Sequence, residues 1–113
     1  PAGISTVIQG ENNSMKGIVF GLTFERASKE LESIKANYAM CKIPIVKETK
    51  GNHRHQIVYE NGDIWTARSA SDSARGHRAH VVYIDHAIED PDMIHMAHHC
   101  LCCYPWSAYR YFG

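Results

Sequence analysis

The chain has 113 residues, which suits one domain or a piece of one. An apolar fraction of 44% with 21% charged residues is ordinary for a folded globular chain and excludes a disordered or fibrous one. Twelve basic residues balance twelve acidic ones, which argues against whole-surface attraction to nucleic acid and leaves room only for a local basic patch. No apolar run approaches the roughly 20 residues of a bilayer-spanning helix, and Pro1-Ala2-Gly3-Ile4 carries none of the features of a secretion signal. Three of the four cysteines crowd at Cys100, Cys102 and Cys103, too close for a secreted disulfide framework. The expectation is a cytoplasmic protein with no membrane contact.

In chain order, residues 10–17 (GENNSMKG) read as a polar loop. Residues 17–23 (GIVFGLT) form a short apolar run and predict a buried strand. Thr23 can cap the next segment, with Arg26 at the third position in place of the Glu or Gln of a full capping box. Phe24, Ala27, Leu31, Ile34 and Tyr38 recur at three- and four-residue spacing and predict a helix over 24–38. Residues 43–46 predict an edge strand, because Pro44 donates no ladder bond, and 47–52 (KETKGN) a turn. Two strand-like runs, 56–60 and 63–67, flank Asn61-Gly62. That dipeptide predicts a hairpin closed by a two-residue type I′ turn. Residues 69–77 predict a loop with a helical turn. Residues 79–85 (AHVVYID) lack alternation, as in a strand covered on both faces. Asp90 and Pro91 predict the start of a second helix over 91–103. So many large rings in the tail 104–113 predict that it packs on something or that a following segment is missing. The fold class expected is α/β, a partial P-loop NTPase-like sheet with a β-hairpin and flanking helices, over residues 1–113 as a single domain or domain fragment.

Three features carry possible chemistry. Asp85 ends the buried strand, where ligands gather in open α/β sheets, and a carboxylate there can hold Mg²⁺. A lone acid in that place also serves to cap the following turn near Ala87. His95, His98, His99 and Cys102 share one helix face and offer imidazole and thiolate ligands suited to Zn²⁺. His53 and His55, or His77 and His80, could complete such a site, and the plain alternative is small buried cysteines with surface histidines. A strip of cations, Lys50, Arg54, Arg68, Arg75 and Arg78, could touch phosphates, diluted by Glu48, Glu60, Asp63 and Asp72. Trp65 and Trp106 read as core or interface anchors.

With these residues in order, residues 17–90 resemble the ATPase domain of phage large terminase subunits, the motors that package DNA. A strand leads into a helix at 19–27. A hairpin with Asn61-Gly62 comes next, then Ala74-Arg75-Gly76, then 81–87 in the place of the Walker B strand and its acidic pair. The resemblance implies ATP and Mg²⁺ as cofactors, with Asp85 positioning the metal and His86 standing where the family has a catalytic Glu. It implies phosphate contacts for Arg75 and Arg78, and DNA as a partner in the host cytoplasm. Residues 91–113 would add a helix and an aromatic tail. The family's phosphate-binding loop, GxxxxGK followed by Ser or Thr, is not in these 113 residues; Gly10, Lys16 and Gly17 have the wrong spacing. The reading is therefore an ATPase-like segment, silent alone and completed by the remainder of a split motor that carries the phosphate-binding loop, with an oligomer open as a further assembly. Two further readings stand beside it. One is a metal-dependent nuclease or zinc-stabilised nucleic-acid-binding module, with His77, His80, Asp85 and His86 converging. The other is a non-catalytic phage interaction protein.

Overall fold

Along the first strand, side chains alternate between two apolar surroundings, and this alternation explains the layering. The computed structural model describes residues 14–70, 78–99 and 108–113, without the side chains of His99 and Ala108. Strand β1 (Lys16–Gly21) sends Ile18 and Phe20 to one face and Val19 to the other. Gly21 closes β1 because a Cβ there would lie 2.5 Å from both the Ala27 nitrogen and the Thr23 oxygen. Only glycine allows so tight a turn from strand to helix. Thr23 then caps helix α1 (Phe24–Met40) as expected, its hydroxyl accepting from the Arg26 N–H at 3.3 Å. The helix runs two residues past its predicted end, and Ala27, Leu31 and Ile34 face the sheet.

Four more strands and a second helix come after it: β2 (Ile45–Lys50), β3 (His55–Tyr59), β4 (Ile64–Ser69), β5 (Val81–Asp85), then α2 (Pro91–His99); strand β6 (Ala108–Phe112) is the last element. The described sheet has six strands in the order β2-β3-β4-β1-β5-β6. β1 is parallel to both β4 and β5, and β5 to β6; β2, β3 and β4 are antiparallel. Helix α1 lies on one face over β1 and β4, and α2 on the other against β5. The result is an α/β sandwich of helix, sheet and helix, as the patterning predicts. Asp90 caps α2, its carboxylate accepting from the Asp92 N–H at 2.9 Å. No described helix is long and apolar enough to cross a membrane.

Three expectations are corrected. Residues 47–50 are not a turn: they belong to β2, whose residues are all exposed. Backbone pairing to β3 holds this strand, so it has no apolar pattern to read. The hairpin loop is also not the two-residue type. Gly62 N–H donates to Tyr59 O at 2.9 Å, and Tyr59 N–H to Asp63 O at 2.8 Å. Gly62 alone takes a positive φ, 95°, so Glu60-Asn61-Gly62 is a three-residue loop ending in a glycine bulge. The pairing, Val58 with Ile64, is one residue from the predicted register. Asp63 stabilises this loop: it accepts from Asn61 Nδ2, from Tyr38 OH at 2.6 Å and from the Met15 N–H at 2.9 Å. Trp65 is 3% exposed and donates to Tyr38 OH, so of the core and interface roles expected for it, it takes the core one. Finally, the strand predicted from residue 79 begins at Val81. The aromatic tail supplies β6, parallel to β5; residues 71–77 and 100–107, with Arg75, His77, Cys102 and Trp106, lie outside the described residues.

Candidate functional site

The chain after β1 turns to α1 on one face, and the chain after β5 turns to α2 on the other. A crevice forms where adjacent parallel strands part in this way, beyond their carboxyl ends. Asp85 occupies that position. It is fully buried, and its carboxylate accepts four hydrogen bonds. The Leu22 N–H, from the turn after β1, reaches Oδ2 at 3.0 Å. The Ala87 N–H reaches Oδ1 at 3.0 Å. Arg26 grips both oxygens, Nε on Oδ2 and Nη2 on Oδ1. This fork-on-carboxylate geometry is the strong form of an ion pair. The guanidinium is the main cause that holds the Asp85 carboxyl well below the usual carboxylate range; burial opposes it, and the two backbone N–H groups add to it. Asp85 in turn raises Arg26.

His86 is next, at the surface. Its backbone N–H and its Nδ1 both donate to Phe112 O, at 2.9 and 2.8 Å. Nδ1 therefore carries a proton, and Nε2 is the ring atom left to accept one when the imidazole is neutral. A cleft of about 310 Å³ adjoins this corner, lined by Arg26, Lys29, Glu30, Ser33, Phe112 and Gly113. The Asp85–His86 pair is thus built into the joint between β5 and β6. Magnesium does not fit Asp85 as it stands: both oxygens have their acceptor positions filled, and no part of the side chain meets solvent.

Arg78 and His80 lie at the other end of β5. His80 Nδ1 accepts from the Lys16 N–H at 3.0 Å. Five residue steps along the strand separate His80 from Asp85, about 16 Å. The structure therefore does not bring His80, Asp85 and His86 together, as the nuclease reading required. Nor does it set Arg78 beside Asp85. Instead Arg78 joins Lys16, Arg54 and Arg68 around a groove of about 500 Å³, with Gln56 and Thr66 in its floor. The alternation of β3 and β4 puts this groove on the sheet face opposite α1. No acidic residue is among its described walls. Lys50 of the predicted strip lies elsewhere, 3.4 Å from Glu32.

On α2, His95 is exposed and His98 is half-buried, its ring 4.2 Å from that of Tyr109. The His99 side chain and Cys102 lie outside the described residues, so the expected zinc face is seen only in part. Among the described residues a different trio converges: Glu32, Glu48 and His55. Sequence patterning marks His55 only as a distant partner for that face. Its neighbours come from α1 and β2, which local spacing does not reveal.

No protein-family model and no curated protein matches the sequence. Solved structures do match. The large terminase from a thermophilic bacteriophage, in one crystal form, aligns with a TM-score of 0.66 and 10% identity, over 92% of this chain and 28% of that one. Another crystal form gives 0.64 and 13%, over 88% and 25%. A structure of the same terminase in complex with ADP gives 0.59 and 14%, over 88% and 25%. The chain thus spans between 25% and 28% of the length of these terminases. At such identities the likeness is one of architecture: the chain is similar in fold to part of a phage large terminase.

Proposed function

We infer that the chain is a segment of a terminase-like packaging motor that does not hydrolyse nucleotide by itself. The observation that carries this reading is Asp85, a buried acid at the switch point of a sheet whose architecture matches large terminases. One of those terminase structures holds ADP, which suggests a nucleotide for the assembled form. Silence rests on two features of this chain. Its 113 residues hold no Gly-Lys-Ser or Gly-Lys-Thr loop to cradle phosphates, and Arg26 already fills the carboxylate that would otherwise assist a metal. What the chain's own residues do is structural: Asp85 ties the turn after β1 to the turn after β5, and His86 fastens β6.

The test is thermal unfolding and phosphate release with magnesium-ATP. The isolated chain should show no shift in melting temperature and no hydrolysis. Hydrolysis should appear when a chain carrying the phosphate-binding loop is added. Turnover by the isolated chain would overturn the reading, as would an absence of activity with every such loop-bearing chain encoded beside the gene. A second reading, nucleic-acid contact without catalysis, is favoured by one observation: four cations line a single groove whose described walls hold no acid.

A further inference from the structure

Glu32 on α1, Glu48 on β2 and His55 on β3 meet at one flank of the molecule, three strand spacings from Asp85, or about 14 Å. His55 is fully buried, and its Nε2 lies 2.6 Å from Glu48 Oε2 and 3.8 Å from Glu32 Oε2. All three ligand atoms fall within 4.8 Å of one another. Its other nitrogen, Nδ1, is 2.9 Å from Ser28 Oγ. We propose that Glu32, Glu48 and His55 form a binding site for a divalent transition-metal ion of the zinc class, with Ser28 orienting the imidazole.

The shorter lysine contact of Glu48 and the Lys35 contact of Glu32 fall on the oxygens away from the imidazole. Lys35 donates to Glu48 Oε1 at 2.9 Å and, over a longer contact of 3.3 Å, to Oε2, while its contact with Glu32 is through Oε1, at 3.9 Å. The Oε2 atoms of both glutamates turn to the imidazole. An entering ion displaces Lys50, 3.4 Å from Glu32 Oε2 and largely exposed, and the 3.3 Å contact of Lys35 with Glu48 Oε2. Zinc holds nitrogen and oxygen at about 2.0–2.2 Å, which sets tetrahedral ligand atoms about 3.4 Å apart. Glu48 must therefore retreat and Glu32 advance, each by less than about 1 Å. With a neutral imidazole, the metal-free network has Nε2–H donating to Glu48 and Nδ1 accepting from the Ser28 hydroxyl. Metal at Nε2 displaces that proton, and Nδ1–H then donates to Ser28 Oγ. A fixed partner on the second ring nitrogen is what metal-bound histidines require. The imidazole distinguishes the site from a magnesium or calcium site, which would be all oxygen. Three protein ligands leave a fourth position open to water.

The experiment uses the full chain, untagged and stripped with chelator, titrated with Zn²⁺ by calorimetry and with Co²⁺ by visible absorption. The expected result includes one ion whose cobalt spectrum lacks thiolate charge-transfer bands. Glu32→Gln/Glu48→Gln, whose side chains are at the surface and whose fold circular dichroism can verify, should abolish that binding step. Ser28→Ala should weaken it about tenfold or more, while His95→Ala/His98→Ala leaves it intact. No uptake, a thiolate spectrum alone, or binding lost only in the His95/His98 variant would overturn the proposal.

Discussion

Asp85 is the residue on which the corner of the molecule turns, and its protonation has a calculable sign. Its carboxyl is held low in the fold, so the stability it contributes is complete above the ordinary carboxylate range. That stability disappears as pH falls through the depressed native value. Arg26→Gln removes the main cause of the depression. The variant should melt below the parent at neutral pH, and the gap should close as the solution is acidified and Asp85 takes a proton in both proteins. Melting curves from neutral to strongly acidic pH check this, together with carboxyl carbon NMR of Asp85, whose titration should move up in the variant. A gap of constant size at all pH values would mean that Arg26 acts by packing alone. Asp85 itself was legible in the sequence, because four apolar residues and then an acid mark the end of a buried strand. Arg26 was not. Its place three residues into the helix reads as a capping position, and its partner lies 59 residues away, a distance over which periodicity carries no information. The Ser28, Glu48 and His55 contacts were hidden for the same reason.

At the scale of elements, what could be read depended on whether an element buries a face. Helix α1 declared itself through Ala27, Leu31 and Ile34, and β5 through Val82 and Ile84, because each must hide apolar surface. β2 hides none, and its Lys47-Glu48-Thr49-Lys50 stretch looked like a turn. The hairpin was legible as a hairpin but not in its register, since Asn-Gly serves a two-residue loop as well as a three-residue one. The deciding partner was Asp63, whose backbone and side chain both bind the loop. Gly62 is therefore the residue to test. A side chain there is strained at φ 95° and would also press on Ser14 Oγ, 2.7 Å from the added Cβ. Gly62→Ala should cost about 1 kcal/mol in denaturant unfolding. Gly62→Asn should cost less, because asparagine enters the left-handed region more readily. Equal stability in all three proteins would show that the loop does not depend on a left-handed conformation at position 62.

The whole molecule divides the two faces of its sheet unequally. On one, α1 covers β1 and β4. On the other, α2 packs against β5, and no described helix lies over the Gln56, Thr66 and Arg68 side of β3 and β4. The sheet there ends in polar and cationic side chains, as a wet surface must. In a chain of neutral net charge, the described walls of this one groove bring together Lys16, Arg54, Arg68 and Arg78. If this groove seats a phosphate backbone, affinity should fall with salt in proportion to the phosphates neutralised. Four contacts set the slope of log affinity against log salt at about −3.6 for duplex DNA. Fluorescence anisotropy with a labelled duplex measures that slope. Lys16→Ala/Arg78→Ala should flatten it by about 1.8 and weaken binding alike for unrelated sequences, since phosphate contacts position without reading bases. Both residues lie at the end of β5 opposite Asp85, so the double variant should leave the Arg26–Asp85 titration unchanged. A slope that the double variant does not alter would place any DNA contact elsewhere and leave the groove as solvated surface.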